Sequence, residues 1–247
     1  MENNDHTDRA HHDAGLVKDA ILHILNALVL KTSKPYILVG GASLILHGSL
    51  RITNDIDLLV SRGDSNEFVV AKEAILGGLG YEHSYYIAQI DLLHAIVEPV
   101  DIELVKPFTV DIDGVRVPEL DVLLGAKIIC YHLRIDGEEG NRKRTSDMSD
   151  IHWISKEMGR RHLEVRKEVS KLFVCGPYNM LLVAWGLYAT FGEQGVKLFE
   201  SVGGREFECD WGKKEYADQA EYYQVEIEEG GYEEDELKIL ESRRKPN

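Results

Sequence analysis

Apolar and polar positions along the chain predict strands and helices in its first half and mainly helices afterwards. Residues 16–30 carry apolar side chains at helical spacing, which is typical of a helix packed on a sheet. Short apolar runs at 36–39 and 55–60 predict two buried strands. Between them two glycines precede residues 42–47, which read as a short helix.

Further along, the pattern predicts more strands before it becomes helical. Residues 85–97 are rich in β-forming residues and predict one or two strands. The run 99–105 predicts another strand, with Asp101 and Glu103 on one face and apolar residues on the other. From residue 118 onward the apolar spacing is helical.

These elements predict the fold class α/β (α+β), with a small mixed β-sheet core, flanking helices and an α-helical C-terminal region. A polar, histidine-containing start and a glutamate-rich end lie outside that pattern. The predicted organisation is a disordered N-terminus at 1–14, a core at 15–135, a helical region at 136–202 and an acidic polar segment at 203–247.

The net charge of the chain narrows the class of molecule that it can bind. The 247 residues carry 28 basic and 43 acidic side chains, for a net charge of −15. A broad nucleic-acid surface needs a basic face, so this balance argues against one. It mildly favours a small, cationic partner.

The chain has no feature that predicts a membrane or an exported location. No apolar run reaches the roughly 18 residues that a bilayer span needs, and the N-terminus lacks the apolar core of a signal peptide. Three widely spaced cysteines are typical of reduced thiols in a cytoplasmic protein rather than of a disulfide framework.

The candidate chemistry lies around the second predicted strand. Asp55 and Asp57 are two residues apart, so both carboxylates point to the same face of that strand. They repel each other unless a cation lies between them, and Mg²⁺ takes one or two carboxylates together with substrate phosphates. Gly40 and Gly41 allow a ligand to approach the main chain closely, and a helix N-terminus after them predicts an anion site.

The order of these features resembles a known family. Val39-Gly40-Gly41, a spacer of thirteen residues and Asp55-Ile56-Asp57 resemble the signature of the polymerase-β-type nucleotidyltransferase superfamily. Arg51 and Thr53 complete an Arg-x-Thr-x-Asp-x-Asp string similar to two bacterial branches. These are the abortive-infection toxin nucleotidyltransferases and the small antibiotic nucleotidyltransferases.

The resemblance implies an enzyme that depends on Mg²⁺ (or Mn²⁺). It would move a nucleoside monophosphate from a nucleoside triphosphate (NTP) to a hydroxyl-bearing acceptor and release pyrophosphate. A small molecule, a tRNA or a protein fits the acceptor role. The implied metal-binding and catalytic residues are Asp55, Asp57 and Asp101, with Glu103 in reserve.

Further residues are implied to act on the nucleotide. Those expected to bind it are Gly40, Gly41, Ser43, Arg51, Thr53 and Lys127. A second set, in a segment similar to a Lys/Arg-x-x-x-Asp-x-x-Asp-Ile string, contains Lys143, Asp147 and Asp150. Its lysine would reach phosphate oxygens, and its acids would position a lysine or act as a base.

Other interpretations stay open. Asp55 and Asp57 also suit a solvated strand end, and Asp147 and Asp150 also suit a capped helix start. In function, the alternatives are a nucleotide-binding regulator or interaction module without chemistry, and a phosphotransferase on the same fold.

Overall fold

A computed structural model describes residues 3–78, 87, 89–135 and 137–208. The chain forms two compact units, of which the first ends at Leu123 and the second begins at Leu124. The division lies inside a helix, whereas the sequence placed the end of the core at residue 135. The helix is continuous there because its apolar residues are buried on both sides of the division.

The described elements form a mixed α and β structure with small sheets, as predicted. The helices are α1 Asn3–Lys31, α2 Gly40–Leu46, α3 Ser65–Leu76, α4 Ile102–Val105, α5 Leu120–Leu133, α6 Glu138–Arg160, α7 Lys167–Ser170 and α8 Pro177–Ser201. The strands are β1 Tyr36–Val39, β2 Asp55–Val60, β3 Gln89–Leu93, β4 Ala95–Val97, β5 Val100–Asp101, β6 Thr109–Ile112 and β7 Val115–Pro118. Short 3₁₀ turns lie at Arg62–Asp64, Lys106–Phe108 and Gly204–Phe207.

The central sheet of the first unit is mixed, in the order β1-β2-β3. Strand β2 pairs antiparallel with β1 and parallel with β3. A parallel partner requires a crossover connection, and α3 belongs to that connection. Two further pairs, β4-β5 and β6-β7, are antiparallel.

The core of the first unit lies between this sheet and the helices. Buried leucines and isoleucines of α1 pack with the inward residues of β1 and β2, and Phe68 of α3 closes the same cluster. In β2 the side chains of Ile56 and Leu58 are fully buried. Burying such side chains stabilises the fold by about 1.5–3 kcal/mol each, which fixes the register of β2.

Helix α1 begins earlier than the sequence predicted. It is helical from Asn3, so the structure differs from the expected disorder at 1–14. Residues 17–28 include the buried positions that anchor it. Once those turns exist, adding residues to a helix needs no new nucleus, and no proline interrupts the segment.

The second unit is helical in its described part. Helices α6 and α8 pack against each other, with Met148 beside Gly186 and Gly159 near Leu198. Helix α8 is kinked at Gly192, whose φ of 67° and ψ of −168° are not helical. Across the described residues, no helix is both long enough and apolar enough to span a membrane.

Candidate active site

Strand β2 presents its two acids on one face. Asp55 and Asp57 are half-buried, whereas Ile56 and Leu58 between and beyond them are fully buried. This alternation follows from the two-residue period of a strand with one face in the core. The predicted common orientation of the two carboxylates is therefore confirmed.

The glycine turn lies directly against Asp57. Val39, the last residue of β1, pairs with Asp57 across the antiparallel ladder, which brings the next residue, Gly40, to the carboxylate. A Cβ at Gly40 would overlap the Oδ2 atom of Asp57, and Gly40 has a φ of 64°. Both facts require glycine at this position. The turn and the acid thus form one local structure.

Arg51 and Thr53 lie over the second glycine. A Cβ at Gly41 would be 3.0 Å from Arg51 Cζ and 3.0 Å from Thr53 Oγ1. The hydroxyl of Thr53, which is almost fully buried, donates a hydrogen bond to Asp55. The structure therefore brings together the predicted residues Gly41, Arg51, Thr53 and Asp55.

Ser43 has a different contact from the predicted one with a nucleotide. Its side chain is fully buried, and its hydroxyl donates a 2.8 Å hydrogen bond to the carbonyl oxygen of Gly40. This bond stabilises the turn that leads into α2. A buried hydroxyl engaged with the main chain is poorly placed to contact a phosphate, so we assign Ser43 to the turn.

The expected strand around Asp101 is mostly absent. Strand β5 ends at Asp101, and residues 102–105 form α4. The carboxylate of Asp101 accepts hydrogen bonds from the backbone N–H groups of Glu103 (3.1 Å) and Leu104 (3.2 Å), which is an N-cap. This cap ends the strand.

Asp101 does not lie on a strand that pairs with β2. Strand β5 pairs with β4 in a separate two-stranded sheet. Glu103, the reserve candidate, is on α4, exposed, and pairs with Lys106 at 3.8 Å. Neither residue belongs to the sheet that carries Asp55 and Asp57.

The acid that does lie beside β2 is Asp91, which the sequence analysis missed. In the parallel register of β2 and β3, Asp57 pairs with Asp91 and Asp55 pairs with Gln89. Aligned residues of neighbouring strands point to the same face about 4.8 Å apart. The three acids and one glutamine therefore lie on one polar face, which we call the β2–β3 face (Asp55, Asp57, Gln89, Asp91).

A signal for Asp91 was present in the sequence. The tetrapeptide Ile-Asp-Leu-Leu occurs at 56–59 and again at 90–93, and the two copies are paired residue for residue. The repeated pattern predicts two strands buried in the same way. A single four-residue match does not reveal which strands pair, so tertiary structure was needed to find it.

The donor set of the β2–β3 face suits a hard divalent cation. Its metal-binding groups are carboxylate oxygens, which Mg²⁺ and Mn²⁺ prefer. In the part of the chain that the structure describes, no three His, Cys, Asp or Glu side chains converge closely enough to hold an ion by themselves. Mg²⁺ needs only one or two carboxylates when substrate phosphates supply further oxygens. The residues therefore fit a metal that binds together with a nucleotide.

Lys127 and the two later aspartates form a cluster in the second unit. The ammonium of Lys127 lies 3.0 Å from Asp147 and 2.8 Å from Asp150. Arg134 also binds Asp147, with its Nε 2.7 Å from Oδ2. Asp147 is 1% exposed. The two acids thus hold Lys127, and the predicted contact of Lys127 with a triphosphate stays a prediction.

Helix α6 begins at Glu138 rather than near residue 147, so the expectation of a helix start at Asp147 and Asp150 is wrong. Glu138 and Glu139 lie in the first turn of the helix, where negative charge is favourable. Lys143 is half-exposed and pairs with Glu139 at 2.9 Å. This pair lowers the pKa of the Glu139 carboxyl.

Comparison with known proteins gave no family model, no curated protein and no solved structure that matches this chain.

Proposed function

We propose that the first unit is a metal-dependent nucleotidyltransferase that moves a nucleoside monophosphate from an NTP to a hydroxyl-bearing acceptor and releases pyrophosphate. The observation that carries the proposal is the placement of Asp57 against the Gly40 turn. It joins a carboxylate pair to two glycines whose missing side chains leave room for Asp57, Arg51 and Thr53. The resemblance of the Gly-Gly and Asp-x-Asp strings to the nucleotidyltransferase signature supports the same reaction.

Each residue of the site has a role in this proposal. Asp55 and Asp57, with Asp91 on the neighbouring strand, would hold the divalent ion; bound there, the ion neutralises phosphate charge and lowers the pKa of an attacking hydroxyl. The Gly40-Gly41 turn would present backbone N–H groups to the phosphates, and its glycines let Asp57 and Arg51 lie against the main chain. Arg51 places a guanidinium beside Gly41, where its planar fork suits phosphate oxygens.

The supporting residues determine how these groups are held. Thr53 fixes one oxygen of Asp55 by its hydrogen bond, and Ser43 fixes the Gly40 carbonyl. Both hydroxyls are buried, so their bonds do not compete with bulk water. The proposal therefore assigns positioning roles to Thr53 and Ser43, and direct roles to Arg51 and the carboxylates.

A thermal-shift panel tests the proposal. Wild-type protein is heated with each of ATP, CTP, GTP and UTP, with and without Mg²⁺. We expect one NTP to stabilise the protein only when Mg²⁺ is present, by about 2.7 kcal/mol at one hundred times its dissociation constant. Asp57→Asn should melt normally without ligand and lose this shift. The control Asp113→Asn, at an exposed hairpin turn that tolerates asparagine, should keep it.

The phosphate that is transferred to the product distinguishes a nucleotidyltransferase from a phosphotransferase. The preferred NTP is labelled with ³²P at its α-phosphate and mixed with protein and a cell extract. Transfer of this label to an acceptor by wild type, but not by Asp57→Asn, supports the proposal. Transfer of a γ-³²P label instead would make the protein a phosphotransferase. A metal-dependent shift that Asp57→Asn retains would contradict the assigned site.

A further inference from the structure

The β2–β3 face contains one polar residue that the proposed reaction does not use. Gln89 lies opposite Asp55 in the parallel register, and it is the one uncharged member of the face. Its side chain is exposed. Its amide Nε2 donates a 2.6 Å hydrogen bond to Oδ1 of Asp91, two residues further along the same strand.

Asp91 needs such support more than the other two acids. Among the described strands, β3 lies at the edge of the three-stranded sheet, and Asp91 is half-exposed there. An exposed side chain at an edge samples several rotamers, and ordering it on ligand binding costs conformational entropy. Asp57, by contrast, is confined between Gly40 and the neighbouring strands.

The hydrogen bond leaves the chemistry of Asp91 available. A carboxylate has two oxygens, and Gln89 engages only Oδ1. The main chain at this point is held as well, because Lys72 of α3 donates a 2.9 Å hydrogen bond to the carbonyl oxygen of Ile90, between the two residues. Backbone and carboxylate are thus both fixed while Oδ2 can accept another partner.

The two strands use the same arrangement. Thr53, which lies just before β2, donates to Asp55, and Gln89 of β3 donates to Asp91, in each case from a residue two positions earlier in the chain. A neutral donor at these positions also avoids a fourth negative charge on the face. Residues that orient metal-binding groups typically contribute about 10–100-fold to metal affinity.

We infer that Gln89 is a positioning residue that orients Asp91 for a divalent cation. This inference rests on the proposed function, since it assumes that the β2–β3 face binds the metal. It assigns a role to a residue outside the Gly-Gly and Asp-x-Asp strings.

Because the metal is proposed to bind together with a nucleotide, the Mn²⁺ concentration that gives half of the thermal shift with the stabilising NTP tests the inference without any turnover. Gln89→Met keeps the length of the side chain and removes the donor. We expect it to weaken Mn²⁺ binding by about tenfold, the lower end for an orienting partner. Gln89→Asn should lie closer to wild type, because the shorter Thr53 makes the equivalent contact. The matched control Gln194→Met, an exposed glutamine of α8, should change nothing.

The outcomes separate the inference from the proposed function. If Gln89→Met binds Mn²⁺ as tightly as wild type while Asp57→Asn and Asp91→Asn bind weakly, the role of Gln89 is wrong and the metal site stands. If wild type binds no Mn²⁺, or neither aspartate variant weakens binding, both proposals are wrong. Unchanged melting temperatures of the variants show that any loss is local.

Discussion

Two groups of aspartates in this protein occupy opposite environments. On the β2–β3 face, three half-exposed acids (Asp55, Asp57, Asp91) lie together with a neutral glutamine. In the second unit, Asp147 and Asp150 are buried and paired with Lys127, and Asp147 also with Arg134. The β2–β3 face concentrates negative charge, whereas the negative charge of Asp147 and Asp150 is balanced by neighbouring cations.

The difference indicates which acids support the fold and which are available for binding. A buried carboxylate is tolerated only when cations and hydrogen bonds replace its water, so Asp147 and Asp150 hold α5 to α6. Neighbouring like charges on a strand face contribute nothing favourable to folding and repel each other. A face that keeps three of them is suited to a cation that arrives with a ligand.

The largest expected effect is on the buried cluster. Asp147→Ala should lower the free energy of unfolding by up to about 3–5 kcal/mol, because it removes one carboxylate partner from both Lys127 and Arg134 in a buried cluster. Urea unfolding followed by circular dichroism measures it. The matched variant on the β2–β3 face is Asp91→Ala. It should change the free energy of unfolding by less than about 1 kcal/mol. Equal losses in the two variants would contradict the distinction.

A smaller effect is expected at the glycine turn. Gly40→Ala should cost about 1–3 kcal/mol, from a positive φ and from the overlap with Asp57 Oδ2. The matched control is Gly114→Ala, where φ is 80° and a Cβ would meet nothing within 4 Å. The difference between the two variants measures the clash. If Gly40→Ala is no worse than Gly114→Ala and keeps the nucleotide-dependent thermal shift, Asp57 does not depend on the turn.

The smallest effect concerns pH and the second unit. Burial, with a further contribution from Arg144, lowers the pKa of His132 from 6.5 to about 4. Between these values the unfolded chain binds a proton that the folded protein does not. The contribution of His132 to stability is therefore fully present above pH 6.5 and is lost as the pH falls towards 4.

Replacement of the histidine tests this pH dependence. His132→Phe should flatten the fall in melting temperature between pH 7 and pH 4.5, whereas His162→Asn, at an exposed position, should not. A slope that His132→Phe leaves unchanged would show that other groups cause it.

The local pattern of apolar and polar residues was sufficient to predict those parts of the fold in which the side-chain period is unambiguous. The bounds of β1 and β2 and the Asp113-Gly114 hairpin turn were predictable, since strand alternation and positive φ at both turn residues are encoded locally. The common face of Asp55 and Asp57 follows from the same period.

What depended on the pairing of distant segments was decided by tertiary structure. The sequence determined a glycine turn followed by an acid pair, because these lie within one continuous stretch of chain. Only the register of β2 with β3 placed Asp91 beside Asp57 and left Asp101 to cap α4. Only the tertiary structure brought Asp147 and Asp150 of α6 to Lys127 of α5. The physical reason is that short runs specify which face a side chain occupies, whereas its neighbours across that face come from residues far along the chain.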